Sequence, residues 1–123
     1  MSFNVKVSAP GCDKCGHAVV VWEWTGMTYN LAPMFRLAGF YELMQSEFRR
    51  WLESGDDQPA PVLTADLLPL AESGLADMEE NPAKYEALNP SNGWGDFRGA
   101  LEFTRALVNA CHMAPRGGLR FSG

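Results

Sequence analysis

The chain reads as an α+β domain: a small antiparallel sheet, made of an N-terminal hairpin and a C-terminal strand, packed against three to four helices. A change of period predicts this. The amino terminus alternates apolar and polar residues as a half-buried strand does, whereas from Asn30 onward apolar residues recur at three-and-four spacing. With 123 residues, no internal repeat and no low-complexity tract, residues 1–123 form one domain around a single core.

Phe3, Val5 and Val7 fall on one side of the first strand, and Asn4, Lys6 and Ser8 on the other. Ala18 to Trp24, rich in valine and tryptophan, is the second strand, with Val20, Trp22 and Trp24 on one face and antiparallel pairing to the first. The connection between them, Ala9 to His17, is too long for a tight hairpin turn. A first helix is capped by Asn30 and runs to about Gly55, with Leu31, Met34, Leu37, Ala38, Tyr41, Met44 and Phe48 on its apolar face. Gly39 marks a bend or a close approach within it. Ser54 to Pro61 is a polar, proline-punctuated surface loop.

The second helix spans Thr64 to Glu80, entered through a turn at Thr64 to Leu68, with Pro69 near the start of regular helix and Leu70, Leu75 and Met78 turned inward. Asn81-Pro82 stops it and opens a short helix to about Leu88. Asp96 caps the last helix, whose inner face is Phe97, Ala100, Leu101, Thr104, Leu107, Val108 and Cys111. Pro115 and Gly117-Gly118 end it, and Leu119-Arg120-Phe121 forms a closing strand beside the hairpin.

Composition narrows the function classes. Ten basic against fifteen acidic residues give a net charge of −5, which opposes the counterion release that drives nucleic-acid binding. No apolar run is long enough to span a bilayer, and the amino terminus lacks the basic start and apolar stretch of a secretory signal, so a cytoplasmic location is expected. Three cysteines fit a reducing compartment with metal or free-thiol use better than a disulfide framework. Four tryptophans in so short a chain imply an aromatic-rich core or an interface with another copy, hence a homodimer.

Two constellations are candidates for function. Cys12-Asp-Lys-Cys15-Gly16 has the geometry of half a zinc knuckle, two thiolates on a tight turn; His17 and, from the end of the last helix, Cys111-His112 are the available further ligands. The plain alternative is a turn with two reduced thiols, a core Cys111 and a surface His112. The second constellation is Tyr29-Asn30 before the first helix with Asn89, Ser91, Asn92 and Trp94 before the last. Amides beside an aromatic plate suit a base-like or amide-bearing ligand, read by stacking and paired hydrogen bonds. Here too a structural explanation is available: Asn30 as cap, Asn89 to Asn92 as turn, Trp94 as a plug between loop and core. Gly93 and Gly95 resemble a small anion cradle at a helix start, but a capping Asp96 occupies those donors and repels an anion. Asp56, Asp57, Asp77, Glu79 and Glu80 read as solvated acidic groups. No Ser or Cys stands beside a His and a carboxylate in a catalytic frame, so the sequence points away from an enzyme.

Tyr29-Asn30-Leu31-Ala32-Pro33-Met34-Phe35, then Asp77-Met78-x-x-Asn81-Pro82, then Ala87-Leu88-Asn89-Pro90-Ser91-Asn92-Gly93-Trp94-Gly95-Asp96, resembles a family of small proteins encoded by bacteriophages and some bacteria, actinobacterial ones especially. The resemblance spans about Thr28 to Cys111, and the Asn-Gly-Trp-Gly turn is its distinctive part. It implies a phage-type genomic setting and transfers no catalytic residue. The functional expectation is therefore a small phage-type binding protein presenting an Asn- and Trp-lined site to a polar or nucleotide-like ligand. The alternative is a zinc-stapled interaction module acting on a host protein.

Overall fold

A computed structural model describes residues 2–9, 19–45, 62–90 and 95–122. The fold is α+β. Its four-stranded antiparallel sheet has the order β2-β1-β4-β3, formed by β1 (Ser2–Ala9), β2 (Val19–Thr28), β3 (Val62–Leu63) and β4 (Gly118–Ser122). The helices are α1 (Ala32–Ala38), a helical stretch over residues 41–45 (α2), α3 (Thr64–Glu80), α4 (Pro82–Glu86) and α5 (Phe97–Met113). The expected Ser54 to Pro61 loop and the excursion carrying Cys12, Cys15 and His17 lie outside the described residues, as do Phe48 and Trp51.

Alternation in β1 produces the expected two-faced strand. Val5 and Val7 are fully buried, and Lys6 on the opposite face lies 3.4 Å from Glu23, its cross-strand partner. The β1–β2 ladder slips twice. Between Val7↔Trp22 and Ser8↔Val20, β2 carries an extra residue, so Val20 turns outward with Ser8 and is 51% exposed, contrary to the shared face expected with Trp22 and Trp24. The second slip places Thr25 and Gly26 opposite Asn4. Gly26 has φ +73°, and its N–H donates to the Asn4 side-chain oxygen at 3.1 Å. The carboxy-terminal strand pairs antiparallel with β1, as its alternation predicts, and also takes up the two-residue β3, which is too short to show a period.

The expected first helix is divided. A 3₁₀ turn at Tyr29–Leu31 leads into α1, whose N-cap is Leu31, and Gly39 ends α1 in the left-handed conformation, φ +100°. Its N–H caps the carbonyls of Phe35 and Arg36. Within α1 Met34 and Phe35 face the core and Leu37 is 45% exposed, and after the break Phe40 and Met44 are buried. In α3 the buried row is Thr64, Leu67, Ala71, Gly74 and Met78, at regular three-and-four spacing, while Leu70 faces out. Small residues on that row let α1 approach. A methyl group on Gly74 would lie 2.9 Å from the Ala38 carbonyl oxygen and 3.0 Å from the Phe40 ring. Regular helix begins at Thr64, so Pro69 lies inside α3 and not at its start; the carbonyl it leaves without an amide partner is that of Ala65, an exposed residue.

Phe103 on α5 joins the layers. Its ring centroid lies 5.9 Å from Trp22, 5.5 Å from Trp24 in an edge-to-face contact, and 5.3 Å from Phe35, which in turn lies 5.3 Å from Phe40. Two of the four tryptophans thus cover the core, each only partly buried.

Thr64 is buried at the junction of α3 with the end of α5. Its hydroxyl donates to the Ala114 carbonyl at 2.6 Å and its N–H to the Gly117 carbonyl at 3.0 Å. Gly117 runs so close to β1 that a Cβ there would fall 2.0 Å from the Ser8 carbonyl oxygen, a backbone atom with nowhere to move. Gly117→Ala is therefore expected to destabilise the fold by about 3 kcal/mol. Gly26→Ala, where open space surrounds the added methyl, is expected to cost only the left-handed strain of about 1–2 kcal/mol. Urea denaturation of the two variants checks the order.

Candidate functional site

Helix α5 starts with two side-chain caps. Asp96 is its N-cap, in extended conformation, and its carboxylate accepts from the Gly99 N–H at 2.8 Å. Asn89, eight residues upstream of Phe97, accepts the Phe97 N–H on its side-chain oxygen at 2.8 Å. Gly95, φ +97°, supplies the left-handed turn that brings the chain back to Asp96. Chain leaving at Pro90 therefore returns at Gly95 across a fixed chord. Ser91, Asn92 and Trp94 fall between these points and lie outside the described residues. Since Phe97 and Gly99 have their N–H groups occupied, and a carboxylate stands beside them, the start of α5 is unsuited to an anion.

Beneath this start lies the corner between α3 and α4. Asp77, read from the sequence as part of a solvated acidic face, is instead the hub of a cluster. Lys84 lies 2.7 Å from its carboxylate, the Tyr85 hydroxyl donates to the same oxygen, and Asn81 donates to the other at 2.9 Å. The Asn81 N–H also closes α3 on the Asp77 carbonyl at 2.8 Å. Lys84 and Tyr85 hold the Asp77 carboxyl below its ordinary value of 3.8. Burial, reinforced by its bond to Asp77, raises the Tyr85 phenol. Tyr85 is wholly buried and stacks on Phe97, ring centroids 5.7 Å apart and planes 24° from parallel. Glu79 and Glu80 do face solvent, as expected.

Tyr29 and Asn30 occupy the 3₁₀ turn between β2 and α1, with Asn30 half-buried. The hydrogen bond that the structure gives Asn89 is to α5. Of the candidate zinc ligands, His112 is exposed on the last turn of α5, its Nε2 3.9 Å from Glu72 on α3. Cys12, Cys15 and His17 lie outside the described residues. Cys111 points the other way from His112, into the core, where burial and the nearby Glu72 charge push its thiol up to about 11. Among the described residues no group of three or more His, Cys, Asp or Glu side chains could hold a metal ion, and no helix is long and apolar enough to cross a membrane.

Sequence reasoning missed the Asp77–Asn81–Lys84–Tyr85 cluster and the aromatic junction at Phe103. A signal for the first was present: Asp77, Asn81 and Tyr85 recur at four-residue spacing across the Asn81-Pro82 break. Searches with the chain find no matching protein family, curated protein or solved structure.

Asp77 gives a pH prediction. Its carboxyl is depressed in the folded state, so its stabilisation is fully present above the unfolded value near 3.8 and is lost as pH falls through the folded value. Asp77→Asn is expected to be less stable than the parent at neutral pH, with the gap narrowing as the solution is acidified below 3.8; melting curves across that range check it.

Proposed function

We propose that the protein is a non-enzymatic, phage-type binding protein that presents Tyr29, Asn30, Ser91, Asn92 and Trp94, with Asn89 at their edge, to a small polar or nucleotide-like ligand. It does so as a homodimer in the cytoplasm of the host cell. The observation that carries this reading is the Asn89–Phe97 hydrogen bond, which fixes the two ends of the 89–97 segment on a helix start. A binding segment held at its ends loses less conformational freedom when it engages a ligand. The Asn89 oxygen is committed to α5, so on this reading the segment's own contribution to recognition is Asn92 and the Trp94 indole. The Asp96 carboxylate at the start of α5 favours a neutral, base-like ligand over a phosphate. Thermal-shift screening with nucleosides and amide-bearing small molecules tests this: a stabilising ligand is expected, with its effect lost in Trp94→Ala and that variant's own melting unchanged. Collapse of the Trp94→Ala fold without any ligand response makes the indole a core residue and removes the proposal.

One observation supports a second reading, a zinc-stapled module acting on a host protein. The excursion that carries Cys12, Cys15 and His17 departs from the end of β1, where the Ser8 carbonyl abuts Gly117, and the Gly117 N–H bonds the Ala114 carbonyl at 2.9 Å. His112 sits on the last turn of α5, at the end of the molecule where β1 finishes. Stoichiometric zinc in purified protein, abolished by Cys12→Ser and weakened by His112→Ala, is the expected result on this reading. Protein free of zinc after growth in zinc-replete medium rules it out.

A further inference from the structure

We infer that two copies of this chain join along the outer edge of β2, antiparallel about Glu23, so that their four-stranded sheets become one sheet of eight. The inference gives a place to the homodimer proposed above and rests on that part of the reading alone. The strand order β2-β1-β4-β3 leaves two edges, and they differ. Strand β3 has two residues, too few to template another strand. Strand β2 has ten, and among the described residues no strand pairs on its outer side. Proteins keep such an edge from pairing with lysine or proline, and Val19–Thr28 contains neither. Its one charge, Glu23, turns back to Lys6 at 3.4 Å. On the core face of the same edge, Val21, Trp22 and Trp24 are only partly covered by their own chain, although both indoles reach Phe103.

A strand joined here must bring apolar side chains to the core face, beside Trp22 and Trp24, and polar ones to the outer face, beside Glu23 and Thr25. A second β2 meets both conditions. A two-fold axis normal to the sheet reverses the strand and keeps each face on its own side. A basic peptide has less to gain, because the Glu23 carboxylate already has Lys6 beside it. The bulges set the register: they fall between Phe3 and Val5 and between Val7 and Ser8, which leaves the ladder regular from Trp22 to Trp24. Beyond it Gly26 turns its N–H inward to Asn4 at 3.1 Å. Pairing the regular stretch with itself sets Trp22 of each copy beside Trp24 of the other and the two Glu23 carboxylates opposite one another, a repulsion that tempers the association. Ten residues make an edge about 33 Å long, and a strip of that length about 20 Å across, wrapping onto both faces, offers about 700 Å² per copy, near the roughly 800 Å² per partner of a stable interface.

Sedimentation of the full chain over a wide range of concentration tests this. A dimer is expected, tightened in Glu23→Gln, which removes the facing charges, and weakened about tenfold or more by Val20→Lys with Thr25→Lys, which gathers lysines on the outer face where the edges meet. Both positions are exposed, so the circular dichroism of the double variant is expected to match that of the parent. A parent that stays monomeric at every concentration, or a dimer that the two lysines leave intact in a folded variant, overturns the proposal. If the double variant fails to fold, amide exchange in the unaltered protein decides: slowing over residues 22–24 as concentration rises, with β1 unchanged, upholds the edge, and slowing elsewhere or none overturns it. A monomer that a nucleoside or amide-bearing small molecule stabilises removes the dimer and keeps the binding proposal, and a dimer that none of them stabilises does the reverse, so the two fail separately.

Discussion

The structure depends on holding α3 and α5 antiparallel by bonds at both ends. Each helix has 17 residues, and contacts at either end fix their register. Thr64 ties the first turn of α3 to the carbonyls that follow α5, and the Asp77–Tyr85 pair ties the last turn of α3, through α4, to the first residue of α5. Phe103, midway along α5, then meets Trp22, Trp24 and Phe35 together, joining the helices to the sheet. Full burial of a ring of this size stabilises by about 1.5–3 kcal/mol, and here it also sets the height of α5 above the strands.

The two ends are chemically different. At the Thr64 end the contacts are made by backbone groups and one hydroxyl, with Gly117 against Ser8 and the Thr64 side chain donating to the Ala114 carbonyl, and the packing leaves no volume for a further methyl group at residue 117. At the Asp77 end the contacts are a carboxylate, an ammonium, two amides and a phenol. The stretch from Asp77 to Asp96 lies at this second end, and several of its described residues have a structural task. Met78 is core, Asn81 closes α3, Pro82 opens α4, Asn89 and Asp96 cap α5, and Gly95 makes the left-handed turn.

How much was legible in the sequence follows from which interactions are local. Alternation in β1 and the β4 strand, the Asp96 cap, the Asn81-Pro82 stop and the inner face of α5 are written within a few residues, and the fold class followed from them. The outward turn of Val20 depends on a bulge defined only by the partner strand, and the end of α1 at Gly39 depends on a left-handed turn that the apolar spacing does not show. Leu70 lost the inner face of α3 to Ala71 and Gly74 because close approach of α1 rewards the absence of a side chain, the reverse of what hydrophobic periodicity detects. The role of Asp77 was hidden for a related reason: its partners sit beyond a helix break, where a periodic reading stops.

The same contrast between the ends bears on chemistry. Charges and amides at the Asp77 end are already paired with one another, so they supply rigidity and leave no strong unpaired acid or base among themselves to drive a reaction. A depressed carboxyl and a raised phenol are each displaced away from neutral pH, the opposite of the tuning that general acid–base catalysis needs. Cys111 is similarly withdrawn: buried and pushed up to about 11, it is a poor nucleophile at neutral pH. What the corner does provide is a frame at the start of α5, with aromatic stacking on one side and a side-chain clasp on the other. The described polar groups of this corner thus hold the start of α5 in place.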